Sequence, residues 1–399
     1  MSSLDGAHVV LGVTGGIAAY KAIDVSRRLV DGGAHVVPIL TEGAEHFVGR
    51  TTFDALASEK VQTTLWDESS PIPHTTLGQR TDLIVVAPAT ARLLADYRIG
   101  RSSDLLTATL IATRAPVLVA PAMHTEMWEH PAVQDNIAVL AERGVHLVGP
   151  EAGRLAGGDT GFGRLAAPET IVSYAERILS ADDLEGVSVV ITAGGTREAI
   201  DPVRVISNRS TGKQGYALAE AAWMRGATVT LVTTADLIAP VGVEVVEVES
   251  AAQMQDAVLA RSDADVIVMA AAVADFRPAD AADQKIKKTD GQVPQIELEK
   301  THDFLVELGE KKPAGQVLVG FAAETQNVTE NARGKLKRKN LDLIVANDVS
   351  AAEVGFAHDT NAVTIHTNDG QRVEVPLQSK REIAAAVLQV VATRFDSES

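Results

Sequence analysis

Two glycine turns carry the first chemical signal in this chain. One lies in Val13-Thr-Gly-Gly-Ile-Ala-Ala-Tyr-Lys21. The other lies in Ile191-Thr-Ala-Gly-Gly-Thr-Arg197, which runs on into Ile206-Ser-Asn-Arg-Ser-Thr-Gly-Lys-Gln-Gly215. Each follows a short apolar run, 8–13 and 187–192, that reads as a buried strand, and each leads to a helical pattern. Such a strand, turn and helix N-terminus make an anion site. Backbone N–H groups point outward, glycine lets a phosphate approach closely, and the helix dipole favours negative charge. Two turns predict two phosphate-bearing ligands and two linked activities. Lysines supply the matching cations: Lys285-Ile-Lys-Lys288 is one cluster, and Lys335 and Lys339, four apart on one helix face, are another. Lysine runs more often solvate a surface. In an acidic chain, beside a nucleotide-type turn, they read as phosphate partners.

Composition excludes several function classes. The net charge of -17 argues against nucleic-acid binding by bulk electrostatics. The chain has no cysteine, which removes disulfides, thiolate zinc sites and a cysteine nucleophile. The N-terminus lacks a basic region followed by an apolar one, so no signal peptide is expected. The apolar stretch 266–274 is far shorter than the about 20 residues that span a bilayer. The cytoplasm is the expected location.

The elements that must position these residues follow from periodicity. With 399 residues the chain suits two domains, and 46% hydrophobic residues make it globular. Apolar runs at 36–40, 83–88, 117–121 and 144–149 alternate with helical patterns at 19–32, 90–113 and 131–144. The alternation predicts a doubly wound parallel sheet, with ligands beyond the carboxyl ends of its strands. The Pro turns at 87–90 and 121–124 fall at those ends. A closing helix is expected over 168–179, and a polar connector over 180–186. The second half repeats the pattern: strands at 187–192, 228–233, 265–272, 317–321 and 343–345, and helices around 215–226 and 328–339. Its tail departs from it, with an Asp-Gly hairpin over 361–375 and an amphipathic helix over 379–395. The fold class is α/β: two Rossmann-like parallel-sheet domains, over residues 1–180 and 186–399.

These motifs together resemble a family, the bifunctional phosphopantothenoylcysteine decarboxylase/phosphopantothenate–cysteine ligases of coenzyme A biosynthesis. The resemblance covers nearly the whole chain. The run 191–215 carries it furthest, and 270–275, 285–288, 320–325 and 345–349 follow in the ligase order. It implies a flavodoxin-like flavoprotein domain holding FMN, followed by a CTP-dependent ligase domain.

For the first domain it implies the FMN phosphate at Gly15, Gly16 and Ile17, a nearby hydroxyl from Thr41, and a flavin lining from Ala87 and Thr90. His74, in Pro71-Ile-Pro-His74, matches the family's essential histidine, placed ahead of the strand that begins near Asp82. The implied reaction is a decarboxylation in which the flavin takes a hydride from the sulfur-bearing carbon and later returns it. Two departures stand out. The family's Pro-Ala-Met-Asn reads Pro121-Ala-Met123-His124 here, and imidazole also donates to a carboxylate, so Met123 and His124 are kept as substrate contacts. The family's flap cysteine, which protonates the enethiolate, is replaced by Gly157 in Leu155-Ala-Gly157-Gly-Asp159. Water, Asp159 or His124 is left to supply that proton, or the decarboxylase is impaired and the ligase alone works.

For the second domain the resemblance implies activation of 4′-phosphopantothenate by CTP as an acyl-cytidylate, which the cysteine amine then attacks. Lys285 is matched to formation of that intermediate. Arg204 and Asn208 are matched to holding it. Asp275, Asp303, Phe321, Lys335 and Lys339 are matched to the nucleotide. Glu324 and Asn347 are candidates for Mg²⁺ or ribose, with the metal ligands themselves unknown. The family's Asn-Pro-Asp step reads Thr301-His302-Asp303 here. Relatives imply homo-oligomers, with trimeric flavin domains, dimeric ligase domains and a possible dodecamer, and with no nucleic-acid or membrane partner. Two rival readings are a two-domain NAD(P) oxidoreductase and a flavin-binding regulatory subunit. Neither turn gives a clean Gly-x-Gly-x-x-Gly, which weighs against the first. The intact segments 191–215 and 285–288 weigh against the second.

Overall fold

The computed structural model describes residues 3–66, 71–287, 295–324, 328–348 and 358–395. It divides into two compact units, Met1–Ser180 and Ala181–Ser399.

In the first unit, elements follow in the order β1 (His8–Val13), α1 (Lys21–Asp31), β2 (His35–Leu40), α2 (Arg50–Leu56), α3 (Pro73–Arg80), β3 (Leu83–Ala89), α4 (Ala91–Arg98), α5 (Leu105–Ala112), β4 (Val117–Pro121), α6 (Thr125–Trp128), α7 (Pro131–Glu142), β5 (His146–Leu147), β6 (Glu151–Arg154), β7 (Thr160–Arg164) and α8 (Pro168–Leu179). Five parallel strands pair in the order β2-β1-β3-β4-β5. That is the flavodoxin-like doubly wound order, whose switch point lies between β1 and β3.

Strand alternation explains why both sheet faces are buried. Val9, Leu11 and Val13 of β1 enter one core cluster with Leu83, Val85 and Ala87 of β3. Val10, Ile84 and Val86 enter the cluster on the opposite face. Successive side chains point to opposite faces, so a nearly continuous apolar run is what a two-sided parallel strand requires. At about 1.5–3 kcal/mol per fully buried aliphatic side chain, these strands supply much of the driving force.

Two expectations change in detail. The helix expected over 90–113 is two helices. Gly100 adopts φ +73°, and Asp104 caps α5 through a reciprocal capping box with Thr107. A left-handed residue and a cap within one turn stop a helix and start another. The strand expected over 144–149 shrinks to two residues, with Gly144 and Gly149 at positive φ on either side.

In the second unit the elements are β8 (Ser188–Ala193), β9 (Arg197–Asp201), β10 (Arg204–Ser207), α9 (Lys213–Met224), β11 (Thr228–Thr233), β12 (Glu244–Glu247), α10 (Ala251–Leu259), β13 (Val266–Met269), β14 (Phe276–Pro278), β15 (Leu298–Lys300), α11 (Phe304–Lys311), β16 (Val317–Glu324), α12 (Val328–Arg338), β17 (Leu343–Asp348), β18 (Thr360–Thr367), β19 (Arg372–Ser379) and α13 (Lys380–Ala392). The main sheet runs β12-β11-β8-β13-β16-β17-β18-β19. Six strands are parallel, and the tail hairpin β18–β19 extends them antiparallel. Among the described residues no helix is long and apolar enough to cross a membrane.

Candidate functional sites

The first glycine turn sits where β1 ends, as a doubly wound sheet demands. Thr14 anchors it: its hydroxyl donates to Pro88 O at 2.7 Å and accepts from Thr90 N at 3.2 Å, tying the β1 and β3 ends together. Thr90 in turn caps α4, accepting from Leu93 N at 3.4 Å. Gly15 has a steric cause. A Cβ there would lie 2.6 Å from the carbonyl carbon of Gly43, so the two loops touch backbone to backbone. Gly43 follows Thr41, whose hydroxyl donates to Val13 O and accepts from Ala44 N, both at 3.3 Å. A Cβ on Gly16 would meet only the Thr90 methyl, 3.8 Å away, so this residue opens outward.

Two cavities flank the turn. One, of about 690 Å³, is lined by Gly15, Gly16, Ile17, Met123 and His124 with Lys21 and Arg164. The other, of about 700 Å³, is lined by Thr14, Thr41, His46 and Trp66. Both share Gly15, Thr90, Ala91 and Met127 in their walls. Large apolar side chains stand exposed around them, among them Ile17, Tyr20, Trp66 and Met127. Backbone amides and hydroxyls beside exposed apolar surface fit a ligand with a phosphate and a flat ring system. FMN has that chemistry, and Gly15–Ile17, Thr41 and Thr90 are the residues that would hold it.

Ala87 takes no part in this lining. It is fully buried inside β3, in the core cluster that holds Val85, and the expected turn over 87–89 is strand. His74 also stands apart. It lies in the first turn of α3 and lines neither cavity, and its Nδ1 is buried without a hydrogen-bond partner among the described residues.

The opposite wall is built by the β6–β7 hairpin, which the sequence reading carried as a flap without strands. It docks through the Met123 N–H, which donates to Gly163 O at 2.9 Å. Gly163 adopts φ +141°, and a Cβ there would collide with Met123 O. His124 stands at this contact. Its Nδ1 bonds Glu126, and its Nε2 lies 3.1 Å from Asp159 Oδ2. The Glu126 hydrogen bond first, then the Asp159 one, raise the imidazole pKa above its ordinary 6.5. A Cβ at Gly157 would lie 3.6 Å from His124 Nε2 and 3.5 Å from Asp159 Oδ2, ordinary contact distances. Lys21 and Arg164, which sequence reasoning did not single out, add cations to the wall. Lys21 donates to Leu165 O at 3.2 Å, and burial, then the charge of Arg164, lower its pKa.

In the second unit Gly194 is at φ +89°, and a Cβ there would collide with Thr234 Oγ1. Gly195 bridges Ala272, three residues beyond β13, and a Cβ on it would lie 2.6 Å from Asn208 O. Asn208 Nδ2 donates to Ala272 O at 3.2 Å and Val273 O at 3.1 Å. The glycines therefore let the 208 loop lie against the strand ends. A cavity of about 110 Å³ opens there, lined by Ser210, Gly212, Lys213, Ala271, Phe321 and Asn347 among others.

Buried Asp201 joins two further predicted residues. It accepts from Val203 N at 2.8 Å, Arg204 N at 2.9 Å and Ile286 N at 3.2 Å. Burial acts to raise its pKa, but these N–H bonds and the Arg204 guanidinium at 3.2 Å outweigh it, and the net direction is down. Arg204 also donates to Ile286 O at 3.3 Å, so it lies beside Lys285, which is exposed. Lys288 and the side chain of Glu324 lie outside the described residues.

Asp275, also exposed, accepts from Thr301 N through its carbonyl at 3.0 Å, and Asp303 two residues on pairs with Lys339 at 2.7 Å. Lys335 lies on α12, whereas Lys339, expected on the same helix, follows its last residue and donates its N–H to Lys335 O at 3.0 Å. Lys285, Asp275, Lys335 and Lys339 all lie outside the small cavity's wall. Among the described residues no group of three His, Cys, Asp or Glu side chains could hold a metal ion.

Two parallel α/β sheets, each with a glycine turn beyond its strand ends, define a two-site flavoprotein-type chain. The family models agree: "Flavoprotein" matches residues 1–180, and "DNA/pantothenate metabolism flavoprotein C-terminal domain" matches 184–395. The coenzyme A biosynthesis bifunctional protein CoaBC of Bacillus subtilis is 50% identical over 397 residues, covering 98% of this chain and 97% of that protein. The chain belongs to this family of bifunctional coenzyme A biosynthesis proteins. The solved C-terminal domain of a CoaBC protein is 42% identical, covering 54% of this chain and all of that one, with a TM-score of 0.47. The FMN binding protein AtHal3 is 30% identical, covering 42% of this chain and 94% of that one, with a TM-score of 0.39.

Proposed function

We propose that the second unit ligates cysteine to 4′-phosphopantothenate with CTP and Mg²⁺, and that the first decarboxylates the product to 4′-phosphopantetheine with FMN. The observation that carries this reading is the pair of glycine turns. Each follows a central parallel strand: the first lines two cavities with Thr41, Met123 and His124 in their walls, and the second bridges Ala272, which lines a cavity with Phe321 and Asn347.

FMN, when bound, supplies hydride acceptance and return. The chain's own residues do the rest. Gly15–Ile17 offer N–H groups to a phosphate, and the exposed apolar rim excludes water from a ring system. His124 offers an N–H to a carboxylate or a proton to a carbanion-like carbon. His74, which lines neither cavity, acts across a subunit boundary in the assembled oligomer. In the ligase reaction a carboxylate must attack a triphosphate, so cations have to neutralise both. Arg204 and Lys285 form one such group, and Lys335 and Lys339 another.

The deciding experiment incubates the full chain with CTP, Mg²⁺, 4′-phosphopantothenate and cysteine, with and without FMN, and follows products by mass. CMP, acyl-cysteine and then 4′-phosphopantetheine are expected. Replacing CTP with ATP tests nucleotide choice. Absence of CMP sinks the ligase half. Gly157 favours one second reading, a working ligase beside an impaired decarboxylase. Under it the acyl-cysteine accumulates even with FMN present.

A further inference from the structure

We infer that a cavity between α12 and the tail hairpin binds a small molecule through an oxyanion group, phosphoryl or carboxylate, held by Arg333, Lys337 and His366. Sequence reasoning gave the tail a hairpin and a helix but no task. The structure sets the hairpin against α12. The cavity there, of about 770 Å³, is lined by Arg333 and Lys337 from the helix, by His366 near the end of β18, and by Asn368 and Gln371 from the hairpin turn. That volume is typical of small-molecule sites, which span about 300–1,000 Å³.

The imidazole carries the most weight. His366 is 2% exposed, and among the described residues neither ring nitrogen has a hydrogen-bond partner. Strand alternation sends His366 and its buried neighbour Ile365 to opposite faces of the sheet, and the cavity wall puts His366 on the face that α12 covers. Buried ring nitrogens are normally paired, because an unpaired one has lost its water without replacement. An oxyanion in the cavity supplies the missing partner, accepting from an imidazole N–H.

The cations fit the same ligand. Among the described residues lining the cavity, Arg333 and Lys337 are cations and Glu330 is the one carboxylate. Arg333 and Lys337 are four apart on α12 and share one flank of it. Both are exposed, and neither forms an ion pair among the described residues. The charge of Arg333 acts on the imidazole, after burial, in lowering its pKa, so guanidinium and ring are within electrostatic reach. A guanidinium fork, an ammonium group and an imidazole N–H are donors that one phosphoryl or carboxylate group satisfies together.

This cavity is separate from the one beside the second glycine turn. Thr367 in its wall pairs with Leu343 at the amino end of β17. Asn347, in the wall of the 110 Å³ cavity, is four positions further along that strand, about 13 Å at about 3.3 Å per residue. At about 100° per residue, Lys335 lies on the opposite flank of α12 from Arg333 and Lys337. One helix thus carries the new site on one side and a nucleotide-matched lysine on the other. An anion that holds α12 against the hairpin is expected to change the affinity for CTP, a coupling that rests on the ligase reading of this unit.

The test uses the full chain and the variants Arg333→Gln, Lys337→Gln and His366→Leu, with FMN and CTP present to fill the other phosphate sites. Inorganic phosphate and acetate are titrated by calorimetry. The wild type should bind at least one of them, and the tighter probe names the oxyanion group. Loss of one charge-assisted contact should weaken that binding about 10–100-fold in Arg333→Gln and in Lys337→Gln. These two side chains are exposed, so their variants keep the test valid if His366→Leu unfolds the unit. The same probe should shift the wild-type KM for CTP about fivefold or more, and leave it unmoved in Arg333→Gln. The KM for cysteine and the decarboxylation of added 4′-phosphopantothenoylcysteine should not move. Failure of both probes to bind, or equal binding by the wild type and the two charge variants, overturns the site. A KM shift that persists in Arg333→Gln is competition at the nucleotide site and overturns the coupling. Because the titration needs no turnover, a chain that binds the probe through Arg333 and Lys337 but forms no CMP refutes the ligase reading and leaves the site standing.

Discussion

His124 stands where the family pattern has an asparagine, beside Gly157, the position of the larger departure. Two carboxylates bracket the imidazole, Glu126 at Nδ1 and Asp159 at Nε2, and both favour the imidazolium. An imidazole whose neighbours favour its protonated form thus stands beside Gly157, where the family pattern has a cysteine. His124→Gln keeps a carboxylate-binding amide but loses the proton. It is expected to lower the decarboxylation kcat by about 10²-fold while changing KM little. The raised pKa also fixes the sign of the pH profile. The acid is present below that pKa, so wild-type kcat falls as pH rises through a value above 6.5, and the limb disappears in His124→Gln. Gly157→Cys adds a side chain where a Cβ makes only ordinary contacts, so it should fold and restore part of the rate in the His124→Gln background. A His124→Gln enzyme with wild-type kcat and pH profile would remove this histidine from proton transfer.

At the scale of elements, the β18 strand offers a pH test of the second unit. His366 on it is 2% exposed, and neither ring nitrogen has a hydrogen-bond partner among the described residues. Burial first, then the charges of Arg333 and Arg372, depress its pKa. The unfolded chain takes up a proton near pH 6.5, whereas the folded one resists until lower pH. Stability from this group is therefore complete above about 6.5 and is lost as pH falls through the depressed folded value. His366→Leu should flatten the decline in melting temperature between pH 7 and 5, and an unchanged slope would exclude the histidine as its cause. The same strand shows what the sequence reveals. Its alternating pattern and the Asp-Gly turn announced the hairpin, and continuous apolar runs announced β1, β3, β8 and β16. The β6–β7 flap was hidden, because Gly153, Gly161 and Gly163 replace the alternating apolar residues that mark a strand. Ala87 misled for the opposite reason: a proline beside it suggested a turn, yet the residue is inside a fully buried strand.

For the whole molecule, the question is whether two chemistries require one chain. The cores answer at the level of folding. Among the described residues, two buried clusters of the first unit lie within residues 4–175 and a buried cluster of the second lies within residues 190–346. The connector is less neutral than its polar composition suggests. Leu184 is fully buried and donates its N–H to Arg225 O at 3.0 Å. Asp183 accepts from Arg225 Nε at 2.8 Å. Residues 183–185 therefore belong to the second unit, and the place to divide the chain is just before Ala181. Fragments 1–180 and 181–399 should each fold cooperatively, as seen by a single thermal transition in each. The first should bind FMN and decarboxylate 4′-phosphopantothenoylcysteine, and the second should release CMP. A fragment starting at Val187 loses the Leu184 burial and the Asp183–Arg225 pair, and should be less stable by about 2–4 kcal/mol. Chemical denaturation of the two versions of the second fragment reads this difference directly. Equal midpoints would show that residues 181–186 are only a tether, and failure of fragment 181–399 to fold would show that the second core depends on the first unit.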